Sequence, residues 1–202
     1  MRDAGDPVVR ARFGLRIPAS DLWVFGYGSL MWSPGFPHAH SERAVLHGYH
    51  RSFCIWSARY RGTPGLPGLV LGLDHGGSCC GMAFRVAAVD VHATLDALWE
   101  REMSRDTYRP KLLAVDTPSG RVRSLAFVTD RRRSQYARSL SPRAQAERIA
   151  AACGQRGSNV EYLENTVAHL DALGVRDEGC HCVLDIVHEL RAARRGRVTI
   201  GA

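Results

Sequence analysis

The stretch Trp23-Val24-Phe25-Gly26-Tyr27-Gly28-Ser29-Leu30-Met31-Trp32 constrains the fold more than any other part of the chain. An apolar, β-prone run stops at a pair of glycines spaced one apart, followed by a hydroxyl residue. A strand that ends this way leaves backbone N–H groups at its tip, and glycine, lacking a Cβ, lets a ligand come close to them. Successive N–H groups can form an anion-binding concavity, so the expected ligand carries a carboxylate or a similar group. The alternative is an ordinary tight turn. A dinucleotide fingerprint would need a third glycine where Met31 stands, and no Gly-Lys-Ser or Gly-Lys-Thr follows, which disfavours both kinds of nucleotide loop.

Short β-prone runs and turn signals continue downstream. Ala44 to Phe53 reads as a strand interrupted at Gly48, and Arg61-Gly62-Thr63-Pro64-Gly65-Leu66-Pro67-Gly68 as a compact loop. Leu69 to Leu73 and Cys79 to Val86 read as a hairpin joined through Asp74-His75-Gly76-Gly77. Lys111 to Asp116 and Val122 to Thr129 read as another, turning at Pro118-Ser119-Gly120. Strands joined in this way predict an α+β chain whose mixed or antiparallel sheet curls into a small β-barrel. Helix ends are well marked: Asp90 as the cap of a helix to about Ser104, Ser141-Pro142 opening one that Gly154 ends, the capping box Ser158-Asn159-Val160-Glu161 opening one that Gly174 stops, and a last helix from about Asp177 to Arg195.

A length of 202 residues suits one domain. The expected organisation is a flexible arm over residues 1–20, a single domain over 21–195 and a basic tail over 196–202. No apolar run approaches the roughly 18 residues that would span a bilayer, and the N-terminal stretch lacks the apolar core of a secretory signal. Neither membrane attachment nor export is therefore expected, and the expected location is cytoplasmic. The net charge of +7 raises the question of nucleic acid. Lys111 is the only lysine, and no aromatic residues interleave with Arg131-Arg132-Arg133 or with Arg191, Arg194, Arg195 and Arg197. A stacking platform would need them, so no nucleic-acid partner is expected, only a mild attraction for small anions. Cys79-Cys80 and Cys180-His181-Cys182 lack the spacing of structural zinc, so no metal is expected and the thiols read as buried or half-buried.

The helix that begins at Asp90 carries a second unusual residue. Its apolar stripe, Val91, Leu95, Leu98 and Trp99, projects onward to position 102, which is glutamate, while Glu100 and Arg101 fall outside the stripe and are expected in water. Burial disfavours the charged form of a carboxylate and raises its pKa, which makes a glutamate a useful proton carrier near neutral pH. The opposite reading is a helix-end glutamate that curls out to pair with Arg105 or Arg109, which would lower its pKa.

Four segments in order, Val24 to Trp32, Arg61 to Gly68, Trp99-Glu100-Arg101-Glu102 and Asn159-Val160-Glu161-Tyr162-Leu163, resemble the ChaC-type γ-glutamylcyclotransferases, over roughly residues 22 to 190. The resemblance implies a small β-barrel flanked by helices and cleavage of glutathione to 5-oxoproline and cysteinylglycine without a cofactor. It implies that Val24, Phe25, Gly26, Tyr27, Gly28, Ser29 and Leu30 bind the γ-glutamyl group, that Glu102 is the catalytic glutamate and that Tyr162 lies near the pocket. Some relatives carry a second acid early in the Glu102 helix. Here that position is about Ala93, so a two-carboxylate mechanism is not supported. The expected partner is a small γ-glutamyl substrate, and a monomer is expected. Other γ-glutamyl amino acids or γ-glutamylamines are the alternative substrates, and a non-catalytic regulator of cation transport is the alternative class.

Overall fold

The apolar run before the paired glycines is a strand in a computed structural model that describes residues 8–10, 14–18, 20–103 and 107–198. In chain order the elements are β1 (Val8–Arg10), β2 (Arg16–Pro18), β3 (Leu22–Gly26), β4 (His40–Ser57), β5 (Gly68–Val86), α1 (Val91–Leu98), β6 (Tyr108–Thr117) and β7 (Gly120–Thr129). The remainder is α2 (Pro142–Ala151), β8 (Cys153–Gly154), β9 (Gly157–Ser158), α3 (Asn159–Ala172) and α4 (Glu178–Val198).

Five strands close into a barrel in the order β3-β5-β4-β6-β7. β3 runs antiparallel to β5, from Leu22↔Val86 to Gly26↔Met82. It runs parallel to β7 through Trp23↔Ser124 and Val24↔Leu125, and that pairing closes the barrel. β6 and β7 form a hairpin that ends at Thr117↔Gly120, turning where Pro118 and Ser119 predict it. The expected small mixed barrel accompanied by helices is the fold this chain adopts.

The chain clusters into two compact units, one comprising residues up to His50 with His75–Asp130, the other Arg51–Asp74 with the chain from Arg131 on. The first unit holds the barrel core, in which Leu22, Val24, Phe84, Val86, Leu125 and Phe127 from the strands meet Val91, Leu95 and Leu98 from α1. Each such side chain contributes about 1.5–3 kcal/mol by leaving water, which fixes α1 by the stripe expected of it. In the second unit α3 buries Leu163, Val167 and Leu170, and α4, which packs on it, buries Cys180, Val183 and Val187.

Several local expectations change. Residues 69–86 do not form a hairpin. They belong to one long strand, β5, in which Gly76 (φ +99) and Gly77 (φ +66) bend the chain without reversing it. A glycine pair serves a bulge as well as a turn, and His50 Nδ1 donates to the Gly76 carbonyl at 3.0 Å to hold the bend. Gly48 (φ +82) likewise lies inside β4 without ending it. Ser141 and Ser158 cap α2 and α3 through the backbone N–H of Ala144 and Glu161, as their sequence signals predict. Asp90 precedes α1 without a side-chain cap hydrogen bond. α2 ends at Ala151, before Gly154, which instead pairs with Gly157 in the β8–β9 ladder. The expected arm lies partly outside the described residues (1–7, 11–13 and 19), while β1 and β2 pair antiparallel and Ile17 is fully buried in the barrel core. Of the expected tail, residues 199–202 lie outside the description, and α4 runs on to Val198.

Candidate functional site

The ladder between β3 and β5 ends at Gly26, and the chain turns there under tight steric limits. A Cβ on Gly26 would sit 3.0 Å from Leu30 Cβ, so any side chain there would make the chain returning over the strand tip give by a few tenths of an ångström. Gly81, on the neighbouring strand, is tighter still: a Cβ there would lie 2.3 Å from the Gly26 carbonyl oxygen and 2.7 Å from the Phe25 ring. Ser29–Met31 then form a single 3-10 turn, closed by the Met31 N–H donating to the Gly28 carbonyl at 2.8 Å, followed by the Ser33 N–H to the Ser29 carbonyl at 2.9 Å. The N–H groups of Ser29 and Leu30 precede the first hydrogen bond of that turn and are not used by it.

Side chains divide this loop into two functions. Val24, Phe25, Tyr27 and Leu30 are buried, with Val24 and Leu30 in the barrel core. Their side chains support the loop, and what those positions can offer a ligand is backbone. Gly28 is half-buried and Ser29 exposed, so the accessible part of the loop is its glycine–serine tip.

Arg101 holds that tip. Its Nη2 donates to Ser29 Oγ at 2.8 Å, and its Nη1 to the carbonyls of Ser33 at 2.7 Å and Pro34 at 3.1 Å. Its Nε lies 3.3 Å from Glu102 Oε1. One guanidinium therefore ties the glycine loop to the carboxylate, using the planar fork that lysine lacks. Arg101 is exposed, as its place outside the apolar stripe predicts, but the helical stripe carries no information about its bond to a loop some seventy residues earlier in the chain.

Glu102 sits where the helix changes character. After Leu98 the backbone widens into a π turn over Trp99–Met103, a feature frequent at functional sites. The widened turn moves the inward position on by one residue: Met103 packs against the barrel core, and Glu102 comes to the border of the stripe with its side chain 16% exposed. A carboxylate there is dry enough to be perturbed and open enough to be reached. Burial raises its pKa above the ordinary carboxylate value, and the Arg101 charge offsets part of the rise. Of the two partners considered from sequence, Arg109 pairs with Asp130 at 3.5 Å, and Arg105 lies outside the described residues.

Tyr162 belongs to the second unit, on the first turn of α3. Its hydroxyl accepts from the Leu71 N–H at 3.4 Å, its ring meets Phe53 edge-on at 6.1 Å, and the Arg61 guanidinium lies 5.2 Å from its centroid. Asn159, one turn earlier and fully buried, accepts from the Leu69 N–H at 2.6 Å and donates to the Leu69 carbonyl at 2.7 Å, imitating a neighbouring strand. The Asn-x-Glu-Tyr start of α3 thus grips the opening of β5 beside the Arg61–Gly68 loop. Among the described residues no group of three or more His, Cys, Asp or Glu side chains is arranged to hold a metal, and no helix is long and apolar enough to cross a membrane.

Comparison with known proteins gives consistent matches. The family described as ChaC-like protein matches residues 22–190. A glutathione-specific γ-glutamylcyclotransferase of Escherichia coli strain K12 is 36% identical over 183 residues, covering 90% of this chain and 79% of the relative. One of the same description from Schizosaccharomyces pombe is 30% identical over 196 residues, covering 86% and 94%. Among solved structures, a yeast γ-glutamyl cyclotransferase specific to glutathione superposes with a TM-score of 0.74 at 21% identity, over 85% of this chain and all of that one.

Proposed function

The chain belongs to the ChaC-like protein family, and from that premise we propose that it is a glutathione-specific γ-glutamylcyclotransferase that uses Glu102 as its acid–base residue. The observation that carries the mechanism is the largely buried Glu102 carboxylate, raised in pKa by burial and joined through Arg101 to the tip of the glycine loop.

Glutathione brings its own nucleophile. The α-amine of its glutamyl residue attacks the γ-carbonyl of the same residue, so the N–C bond of a five-membered lactam forms and the bond to the cysteine nitrogen breaks. The products are 5-oxoproline and cysteinylglycine. Because the nucleophile is tethered, the protein's main work is to hold a folded near-attack conformer and move a proton. Glu102 takes a proton from the α-ammonium and returns one to the departing amine, a role favoured by a carboxylate pKa brought nearer to working pH. The N–H groups at Gly28, Ser29 and Leu30 supply fixed dipoles for the α-carboxylate or the developing oxyanion. Arg101 acts as a positioning residue: it sets the loop against the base and moderates the base's pKa.

The test is to incubate purified protein with glutathione and, separately, with γ-glutamyl-alanine, following 5-oxoproline and the released amine by mass spectrometry. Equimolar 5-oxoproline and cysteinylglycine, with much slower turnover of γ-glutamyl-alanine, is the expected result. Faster turnover of γ-glutamyl-alanine would refute the glutathione assignment, and no 5-oxoproline from either substrate would refute the reaction.

A further inference from the structure

Lys111, the only lysine of the chain, has no part in the reaction above, yet the strand register brings it near the glycine loop. Leu112 on β6 and Val24 on β3 pair with Leu125 on β7 from its two sides, so the three stand at one level of the first unit's barrel. β6 runs against β3, which puts Lys111 one residue beyond that level toward the Gly26 end, as Phe25 is. Two strand spacings, about 10 Å, separate the Lys111 and Phe25 backbones.

The direction of the side chain follows from the same register. Val24, Phe84, Leu125 and Phe127 pack with α1, and Leu112 joins them. Successive residues of a strand face opposite ways, so Phe25, Ala83, Ala126 and Lys111, the partner of Ala126, share the other face. A helix does not fit within five strands, whose interior takes only side chains, so the α1 face is the outside and Lys111 points into the barrel. There its Nζ donates to the Tyr49 hydroxyl at 3.0 Å and lies 5.6 Å from the centre of the Tyr49 ring, against which His75 packs at 4.8 Å. Tyr49 is buried and Lys111 half-buried. An ammonium has three N–H donors, and a cation drawn out of water is ordinarily paired with an anion. Among the described residues no carboxylate pairs with Lys111, and its partner is a neutral hydroxyl.

We propose that Lys111, steadied by Tyr49, is a specificity-determining residue whose ammonium takes the glycyl carboxylate of glutathione, an inference that rests on the glutathione reading above. The α-carboxylate lies beside the α-amine that Glu102 serves, where the loop N–H groups already offer donors. The charge that offsets burial at Glu102 is that of Arg101, so Lys111 serves a group away from the base. The glycyl carboxylate is such a group: an extended cysteinylglycine spans about 7 Å, and the long lysine stem covers the remainder of the distance across the barrel mouth. A charge-assisted contact at that end binds the leaving group and takes no part in the proton transfer.

The experiment compares 5-oxoproline formation from glutathione and from its glycyl amide, which differs in lacking that carboxylate, by the full chain and by Lys111→Met. For the wild type, kcat/KM is expected to be at least about tenfold lower with the amide, as loss of a hydrogen bond to a charged group implies, with the change mainly in KM. Lys111→Met is expected to lower kcat/KM for glutathione by a similar factor and to leave the amide unaffected. A scaffold role for Lys111 would instead slow both substrates alike, and that result would overturn the proposal. Equal kcat/KM for the two substrates in the wild type, or a preference for glutathione that persists in Lys111→Met, would overturn it too while leaving the cyclotransferase reaction standing. No 5-oxoproline from either compound would overturn the reaction and this inference with it. Should Lys111→Met fail to fold by circular dichroism, Lys111→Gln carries the same expectation, and the wild-type comparison needs no variant.

Discussion

Replacing Asn159 by alanine removes two hydrogen bonds that no neighbour can replace. Asn159 is 0% exposed, and its amide satisfies both the N–H and the C=O of Leu69 at 2.6 and 2.7 Å. The variant leaves one buried donor and one buried acceptor without a partner, each costing about 1–3 kcal/mol. The expected destabilisation is therefore about 2–6 kcal/mol, and for a chain of this size each kcal/mol lowers Tm by about 2–4 °C. Urea titration followed by circular dichroism measures the first quantity and a thermal scan the second. Asn159→Asp is expected to do no better, since it keeps the acceptor for the Leu69 N–H, loses the donor to the carbonyl and buries a charge. Tyr162→Phe, which loses the 3.4 Å contact from the Leu71 N–H at the long limit of hydrogen bonding, is expected to cost less than Asn159→Ala. If Asn159→Ala lost less than about 1 kcal/mol, the strand-imitating role would be wrong. If it stayed stable but lost turnover, Asn159 would belong to the substrate site and not to the scaffold.

Three further outcomes bear on the loop and its carboxylate. Arg101→Gln removes the charge that holds Glu102's pKa down, so the acidic limb of the kcat/KM–pH profile moves to higher pH; Arg101→Lys restores the limb but not the KM, because an ammonium cannot make the forked contacts to Ser29, Ser33 and Pro34. Burial raises Glu102 above 4.5, so its contribution to stability is present while it is protonated and is lost as pH rises from 4.5 through its raised value; Glu102→Gln is accordingly expected to raise Tm relative to the wild type at neutral pH, a gain that vanishes in acid, and a gain that instead grew as pH fell would contradict the sign. Gly81→Ala must force β3 and β5 apart where the added methyl would lie 2.3 Å from the Gly26 carbonyl oxygen, costing about 1–3 kcal/mol or more and reducing turnover, and a fully active, fully stable variant would show that the tight packing at the loop is dispensable.

Much of this architecture is legible in the sequence where local chemistry decides it. Ser141 and Ser158 cap their helices because the signal and the structure it specifies lie within one turn of each other. The β6–β7 hairpin turns where proline and serine predict it. The glycine pair at 76 and 77 misleads, because local sequence does not say whether two glycines reverse a chain or bend it; the neighbouring strand β4, contributed by residues far away, decides. Glu102 is legible as an apolar-stripe position. That Met103 takes the core slot is not, since a helical projection assumes an unbroken α-helix and the π turn breaks that assumption. Arg101 and Gly81 are hidden for a similar reason: each acts on a segment remote in sequence, and only the closed barrel brings those segments together. Asn159 is visible as part of a motif, but its service to the Leu69 backbone depends on a strand opening ninety residues earlier.

The rate of 5-oxoproline formation from glutathione by Glu102→Gln, set beside the wild type under identical conditions with folding checked by circular dichroism, isolates the proton-transfer role from everything else in the site. Glutamine keeps the size and hydrogen-bonding reach of the side chain and removes the base, so kcat should fall by about 10²–10⁴, the usual contribution of general acid–base catalysis. Near-normal turnover by the folded variant would contradict the assignment of Glu102 and send the search for the proton carrier elsewhere in the chain.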